Sequence, residues 1–168
     1  MLGLQAAGRS IISIIITAAC LLAAGGAQAS PAVGDTVSIP AITLIDGQQL
    51  PAGHFDGKPV IIEYWASWCP FCARQNPYLQ RLYDTAHGRG LEILTVSIDE
   101  HESDARNYLD EHGYTFPVTM ETPELLEVFG KRRVIPMVFV ITPDGKVAEA
   151  IPGEMFEEDV LELINYAP

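Results

Sequence analysis

Two cysteines three residues apart, Cys69 and Cys72, constrain this chain more than any other feature. They follow a hydrophobic run at residues 59–65, which predicts a buried strand, and they lie at the start of a helix predicted over residues 70–87. A Cys-x-x-Cys pair at such a strand-to-helix turn places the first sulfur at a helix N-terminus. Unpaired backbone N–H groups and the helix dipole stabilise a thiolate there. The sequence therefore predicts a reactive thiol pair.

Two other uses of the cysteine pair fit the sequence less well. A structural disulfide across a four-residue loop stabilises a fold by about 2 kcal/mol, against about 3 kcal/mol for a fifteen-residue loop, so it would add little to a core of this size. A zinc site needs four ligands, and the sequence has no second cysteine pair or histidine pair at ligand spacing. We therefore expect redox chemistry at Cys69 and Cys72, and no metal site.

The first 29 residues have the pattern of a secretory signal peptide. Arg9 is their only charge, an apolar stretch follows at residues 11–24, and residues 27–29, Ala-Gln-Ala, form a small-x-small cleavage site. The apolar stretch is shorter than the ~20 residues of a spanning helix, but an uncleaved membrane anchor is the alternative if the helix runs further. We expect a periplasmic or other extracytoplasmic protein, membrane-anchored if the leader stays attached, with one domain over residues 30–168.

The formal net charge of −12 argues against one class of partner. So acidic a surface repels nucleic acid, and the basic residues at 131–133 stand alone as a cluster. High net charge also favours a soluble, monomeric protein. We therefore expect a monomer without a nucleic-acid partner.

Predicted strands alternate with predicted helices along the domain. In chain order they are strands at 36–44, 48–50 and 59–65, a helix at 70–87, a strand at 91–98, a helix at 103–112, a strand at 116–120, a helix at 123–129, strands at 136–141 and 146–151, and a helix at 157–166. This order predicts an α/β fold with a central mixed sheet, parallel in its first half, helices on both faces and a small N-terminal β-hairpin. Such sheets bind ligands at the carboxyl ends of their strands, where Cys69 falls.

Four stretches of sequence carry a resemblance to a known family. They are Glu63-Tyr64-Trp65-Ala66-Ser67-Trp68-Cys69-Pro70-Phe71-Cys72, Pro77 in the first helix, Val96-Ser97-Ile98-Asp99, and Val134-Ile135-Pro136. Together they resemble the thioredoxin superfamily, and within it the exported TlpA/ResA/CcmG-like thiol-disulfide oxidoreductases. The resemblance covers residues 33–166 and implies a thioredoxin-like fold with the β-hairpin as an N-terminal extension. It also implies an enzyme whose redox group is the Cys69–Cys72 disulfide, without another cofactor.

The resemblance assigns different roles to the two cysteines and to an acid behind them. Cys69 is the nucleophile that attacks a partner disulfide, and Cys72, one helical turn deeper, resolves the mixed disulfide. Glu63 lies six residues before Cys69, where the superfamily has a buried acid that relays protons to the resolving cysteine. Burial without a partner would raise its pKa towards neutrality, which suits a general base. Gln75 departs from this branch, in which an acid often occupies the position, so a second titrating group is not assigned.

The remaining site residues are assigned to substrate binding. Pro136 resembles the cis-proline that faces the active site in the superfamily, and a cis bond would leave the backbone of Ile135 free to pair with an extended substrate chain. Trp68 and Phe71 are expected to form an apolar platform for partners, and Pro70 pre-sets the first helical turn. Phe71 adds no positive charge beside the cysteines, so the very low thiol pKa of strongly oxidising members is not expected.

The resemblance therefore implies an exported reductase of protein disulfides. Partners in the resembling branch are cytochrome c apoproteins, copper-site assembly proteins or other exported thiol proteins, and electrons come from a membrane thiol-disulfide electron donor. The direction of electron flow stays open, since dithiol potentials in this fold span about −270 to −120 mV, or roughly 7 kcal/mol. A disulfide oxidase or isomerase is the enzymatic alternative, and a Cu(I)-binding metallochaperone that uses both thiolates is the non-enzymatic one.

Overall fold

A five-stranded mixed sheet forms the centre of the computed structural model, which describes residues 29–86 and 88–168. The signal-peptide prediction for residues 1–29 falls, apart from Ala29, outside the described residues. The strands are β1 (Ile42–Thr43), β2 (Gln49–Leu50), β3 (Val60–Trp65), β4 (Glu92–Ser97), β5 (Val118–Met120), β6 (Met137–Ile141) and β7 (Val147–Pro152). The helices are α1 (Pro70–Ala86), α2 (Glu102–His112), α3 (Pro123–Phe129) and α4 (Glu157–Glu162), with a 3₁₀ turn at Leu163–Tyr166. Within the described ranges, no helix has both the length and the hydropathy needed to cross a bilayer.

The strands of the sheet follow the order β5-β4-β3-β6-β7. β3 pairs in parallel with β4 and β4 with β5, whereas β6 pairs antiparallel with both β3 and β7. Parallel neighbours need a long crossover, and α1 and α2 provide two such crossovers, while a short turn is enough to join the antiparallel strands β6 and β7. The predicted mixed sheet, parallel in its first half, is confirmed.

β3 runs through the middle of the sheet, and all six of its residues are buried. On one face, Ile61 and Trp65 share an apolar cluster with Cys69, Cys72 and the buried leucines of α1. The opposite face packs in a second apolar cluster. Because side chains alternate along a strand, Glu63 points to the same side as Ile61 and Trp65. The strand therefore carries one carboxyl into the layer that contains both cysteines.

The predicted N-terminal β-hairpin is confirmed, but its first strand is shorter than predicted. β1 is two residues long and pairs antiparallel with β2. Pro40, which has no N–H to donate, interrupts the strand predicted at residues 36–44. Thr36 and Leu44 form isolated β-bridges in place of a continuous ladder.

The helix ends show which local signals decide the boundaries. α2 stops at Gly113, whose φ of 69° is a left-handed conformation that glycine adopts without steric cost. α3 begins after Thr122, whose side chain accepts a hydrogen bond from the N–H of Leu125 at 3.3 Å. The closing helix predicted at residues 157–166 is α-helical only through Glu162, because its last turn tightens into a 3₁₀ turn, as is common at helix ends.

Candidate redox site

Cys69 and Cys72 form a disulfide where β3 ends and α1 begins. Their Cα atoms are 5.3 Å apart, and the backbone N–H of Cys72 donates to Sγ of Cys69 over 3.2 Å. Cys69 retains 3% of its accessible surface and Cys72 retains none, so Cys69 is the more exposed cysteine, although both are buried. When the pair is reduced, the N–H groups of the first turn are placed to stabilise a thiolate on Cys69.

The loop that leads into β6 lies against Cys69. The Ile135–Pro136 peptide bond is cis, as the resemblance implied, and the carbonyl oxygen of Ile135 is 3.7 Å from Sγ of Cys69. The N–H of Ile135 makes no hydrogen bond within the described part of the chain. The N–H of Gly153 donates to the carbonyl of Pro136 over 2.8 Å and holds the loop in place. An extended chain beside Ile135 would therefore find an available donor and an acceptor next to the sulfur.

Large apolar side chains are exposed next to the cysteines in sequence, on the loop before β6 and just before α4. Trp68 is 66% exposed and Phe71 is 51% exposed, so both predicted platform residues face solvent, and Pro70 between them is exposed at the first position of α1. Val134, in the loop before β6, is 48% exposed, and Phe156, just before α4, is 78% exposed. Trp68, Phe71, Val134 and Phe156 are called the apolar rim below. Exposed apolar groups of this size are typical of protein interaction sites.

Arg74 connects α1 to the segment before α4 on the exposed side of the site. Its Nε and Nη2 atoms donate to the two carboxylate oxygens of Glu154, each over 2.6 Å. Its guanidinium also lies 4.8 Å from the centre of the Phe71 ring. A bidentate pair of this kind restricts both side chains, because the two parallel bonds fix their relative orientation. Phe71 of the apolar rim therefore packs against an arginine whose charge is neutralised by Glu154.

A buried carboxylate holds the loop between β3 and α1. Asp99, just beyond β4, accepts hydrogen bonds from the N–H of Ser67 at 3.1 Å, from Oγ of Ser67 at 2.8 Å and from Oγ of Ser97 at 2.7 Å. Ser67 lies two residues before Cys69, so these bonds fix the backbone from which that sulfur projects. The sequence identified Asp99 only as part of a stretch that resembles the family, and its contact with Ser67 was not predicted.

Glu63 is fully buried between β3 and α1. Its Oε2 accepts a hydrogen bond from Nε2 of Gln75 at 3.0 Å, and Oε1 of Gln75 accepts one from the N–H of Met155 at 2.7 Å. Gln75 is also fully buried and lies one helical turn after Cys72, on the same side of α1. Gln75, which departs from the family pattern, therefore holds Glu63 beside the turn of α1 that carries Cys72.

The surroundings of Glu63 set its protonation. Burial raises its pKa to about 7, and the hydrogen bond from Gln75 opposes part of that rise. A carboxyl with this pKa is about half ionised at neutral pH, so it can either accept or donate a proton. Oε1 of Glu63 has no hydrogen-bond partner among the described residues, which makes it the oxygen available for proton exchange.

Comparison with known proteins identifies the family. The chain matches the Redoxin family model over residues 32–164. Thiol-disulfide oxidoreductase ResA from Bacillus thuringiensis subsp. konkukian is 31% identical over 127 residues, which span 74% of this chain and 72% of the relative. ResA from Geobacillus thermodenitrificans is 31% identical over 130 residues, which span 77% and 74%. The crystal structure of a thiol:disulfide interchange protein of the thioredoxin family from Chlorobium tepidum has a TM-score of 0.71 at 27% identity and covers 83% of this chain and 99% of its own.

The chain belongs to the redoxin family, among its TlpA/ResA-like thiol-disulfide oxidoreductases. StoA from Bacillus subtilis has the same fold, with a TM-score of 0.66 at 22% identity over 82% of this chain and all of its own. The predicted protein-disulfide oxidoreductase activity and the predicted thioredoxin-like fold are confirmed. Protein thiols and disulfides are therefore the class of partner on which this redoxin acts.

The structure brings the predicted site residues of this redoxin together around one disulfide. Sequence reasoning did not find two groups that hold them: the Gln75 amide beside Glu63 and the Asp99 carboxylate under the cysteine loop. Helical spacing from Cys72 was the one sequence signal that could have placed Gln75 near Glu63. Across residues 29–86 and 88–168, no group of three or more His, Cys, Asp and Glu side chains is arranged to hold a metal ion.

We predict that replacing Glu63 by Gln changes how stability depends on pH. The folded protein holds the Glu63 proton up to pH about 7, whereas the unfolded chain loses it near pH 4.5. Between these values the folded state binds more protons, so the contribution of Glu63 to the free energy of unfolding falls as pH rises, by about 3 kcal/mol in all, and is constant above pH 7. The stability of Glu63→Gln relative to wild type should therefore rise over this range, as measured by urea unfolding of the oxidised proteins.

Asp144→Asn is the matched control for that measurement. The hydrogen bond from Lys146 is the main reason that the pKa of Asp144 falls to about 2, so this exposed group stays ionised throughout the range in which Glu63 titrates. The difference between Asp144→Asn and wild type should be flat between pH 5 and 8. A flat difference for Glu63→Gln as well would contradict the raised pKa of Glu63.

We predict that Gln75→Leu raises the pKa of Glu63 further. The substitution removes the N–H donor that favours the ionised carboxylate, since the hydrogen bond from Gln75 lowers this pKa in the native protein. It also leaves the N–H of Met155 unpaired, which costs about 1–3 kcal/mol of stability. Titration of the Glu63 carboxyl carbon by NMR measures the effect, with Gln80→Leu, at a partly exposed position further along α1, as the control. An unchanged or lowered pKa in Gln75→Leu would mean that Gln75 does not tune the acid.

Proposed function

We propose that this redoxin is an exported, monomeric reductase of disulfides in other exported proteins, and that the Cys69–Cys72 pair is its only redox group. The observation that carries the proposal is the placement of this pair at the start of α1, with the open backbone of Ile135 on one side and the buried acid Glu63 on the other. The leader pattern in residues 1–29 supports export.

The first step forms a mixed disulfide. The Cys69 thiolate, favoured by the N–H of Cys72 and by the dipole of α1, attacks one sulfur of the partner disulfide while the partner chain pairs with the backbone of Ile135. A new S–S bond forms between Cys69 and the partner, and the partner's own S–S bond breaks. The departing partner sulfur takes up a proton from water.

The second step releases the partner. The Cys72 thiol gives its proton to Oε1 of ionised Glu63, and its sulfur then attacks Sγ of Cys69. The Cys69–Cys72 bond forms, the mixed disulfide breaks, and the second partner sulfur leaves as a thiolate. Two electrons have then passed from the dithiol to the partner. The pKa of Glu63, about 7, suits this exchange because the acid can take the proton and later return it near neutral pH.

The charges near the pair support reduction rather than oxidation. A low thiol pKa stabilises the reduced form and makes a dithiol a strong oxidant. Here the residue before Cys72 is the uncharged Phe71, and Arg74 is neutralised by Glu154. The buried ionisable group beside this turn of α1 is the acid Glu63, whose negative charge opposes a neighbouring thiolate. Apart from the helix terminus, these surroundings add no positive charge that would stabilise the reduced dithiol, which supports a low disulfide potential.

The reaction leaves this redoxin oxidised, so a reductant must restore the dithiol. We assign this role to a membrane thiol-disulfide electron donor, and the partners that receive the electrons to cytochrome c apoproteins or copper-site assembly proteins, as the resemblance implied. The apolar rim supports a protein partner, because large exposed apolar side chains provide most of the binding energy in protein interfaces.

We predict a reducing potential for the Cys69–Cys72 pair. Equilibration of the protein with a series of reduced and oxidised glutathione mixtures measures this potential. A value of about −250 mV or below supports the reductase, because the dithiol can then reduce exposed or strained disulfides, whose potentials are higher than those of structural disulfides. A value above about −150 mV would instead assign the site to oxidation of partners.

We also predict that Glu63→Gln slows the second step more than the first. The variant keeps the shape of the side chain but cannot take the proton of Cys72, and loss of a general base costs a factor of about one hundred or more. Rapid quenching with a disulfide peptide separates formation of the mixed disulfide from its resolution. In a Cys72→Ser background, which stops after the first step, Glu63→Gln should change the rate little. Equal slowing of both steps would remove the relay role.

A further inference from the structure

The basic residues of this acidic chain are not all neutralised. Residues 29–86 and 88–168 contain nine lysine and arginine residues, and six of them form ion pairs with carboxylates. Within that described part, Arg89, Lys131 and Arg133 pair with no carboxylate. Arg89 lies at the far end of α1 from the cysteines, whereas Lys131 and Arg133 lie in the loop that carries Ile135 and the cis-proline.

The side chain between these two cations explains why both face outwards. Arg132 is turned inwards: its side chain is 4% exposed and forms an ion pair with Glu121. Its guanidinium lies 3.6 Å from the centre of the Tyr64 ring of β3, and Nη1 donates to the carbonyl of Gly130 over 2.8 Å. With Arg132 fixed against the sheet, Lys131 and Arg133 on either side are exposed.

The two free cations line a groove on the loop that carries Ile135. The groove has a volume of about 740 Å³ and is lined by Lys131, Arg132, Arg133, Val134, Met137 and Pro152 together with Ala29 and Ser30. Val134 at its edge is the neighbour of Ile135, whose carbonyl oxygen lies 3.7 Å from Sγ of Cys69. This groove is called the basic groove below. Its lining residues Val134 and Met137 flank Ile135 and Pro136 in the chain, so the groove borders the backbone at which a substrate chain pairs.

We propose that the basic groove binds an acidic stretch of the partner polypeptide, close in sequence to the disulfide that is reduced. This inference rests on the proposed function. Arg133 and Lys131 lie two and four residues before Ile135, so at about 3.3 Å per residue of fully extended chain they are at most about 7 and 13 Å from it. Partner carboxylates two to four residues from the attacked cysteine would therefore reach them.

Screening by salt determines which charges of this protein act on the docked partner segment. At physiological salt the Debye length is about 8 Å, so the distant carboxylates that give the chain its charge of −12 act weakly on a docked segment. The nearby carboxylates Glu121 and Glu154 are each bound by an arginine, Arg132 and Arg74. The charged side chains that line the groove are all basic, whereas the chain as a whole is strongly acidic. This contrast selects where an acidic segment docks.

A cysteine-free peptide separates docking from chemistry. One labelled peptide carries serine in place of the target cysteine with aspartates two and four residues away, and its counterpart carries asparagines at those positions. Binding to the oxidised protein is measured by fluorescence anisotropy at low and at high salt. We expect the aspartate peptide to bind about two- to tenfold more tightly at low salt, and the preference to fall at high salt, as for exposed charge pairs.

The variant Lys131→Gln/Arg133→Gln should lose this preference. The control Arg89→Gln/Lys146→Gln changes the net charge equally at the opposite end of the sheet, and should keep it. Equal binding of the two peptides to wild type, or the same loss in the control, would overturn the inference. Binding of wild type but not of Lys131→Gln/Arg133→Gln to phosphatidylglycerol vesicles, without a peptide preference, would also overturn it and assign the groove to a membrane surface.

Reduction of the corresponding cystine peptides distinguishes failure of this inference from failure of the proposed function. If the reduced protein reduces both cystine peptides but the cysteine-free peptides bind equally, acidic docking is wrong and the reductase remains. If the aspartate peptide binds preferentially but neither cystine peptide is reduced, the groove is a docking site and the reductase is wrong.

Discussion

The burial of the Glu63 carboxyl is the constraint to which the rest of the site responds. A charged group inside a protein costs several kcal/mol unless it is paired or neutral. Here one oxygen is paired with Gln75 and the other has no partner in the described part of the chain, so the group remains in the fold by holding a proton up to about neutral pH. The same burial that lowers stability therefore produces an acid that can exchange protons with a thiol.

Gln75 shows why an amide fits where the family often has an acid. Its amide has both a donor and an acceptor, and it uses one for Glu63 and the other for the N–H of Met155. An ionised carboxylate at this place could not donate to Glu63 and would add a second buried charge, which would couple the two titrations. Because Gln75 is neutral, Glu63 is the one titrating group of this pair. The hydrogen bonds of Gln75 also join β3, α1 and the segment before α4.

The sequence predicts those features of the fold that short stretches of neighbouring residues encode. The apolar run of β3, the spacing of α1 and the position of Cys69 and Cys72 at their junction all follow from periodicity and helix-terminus chemistry. The contacts that tune the site join residues far apart in sequence: Gln75 and Met155 are 80 residues apart, and Ser67 and Asp99 are 32 apart. No local pattern encodes such pairs, so the sequence predicts the reacting groups better than the groups that hold them.

The loop before β6 links recognition to the same core. Arg132 stacks on Tyr64 of β3, while Ile135, three residues further on, lies beside the attacking sulfur. The strand that carries Glu63 into the helix layer therefore also supports the loop that meets the partner, through its opposite face. Charged contacts of this exposed kind act mainly through the rate of encounter, and a faster encounter at an unchanged rate of dissociation tightens binding by the same factor. We infer that acidic partners meet the disulfide more often, while the cysteines and Glu63 decide what happens after they meet.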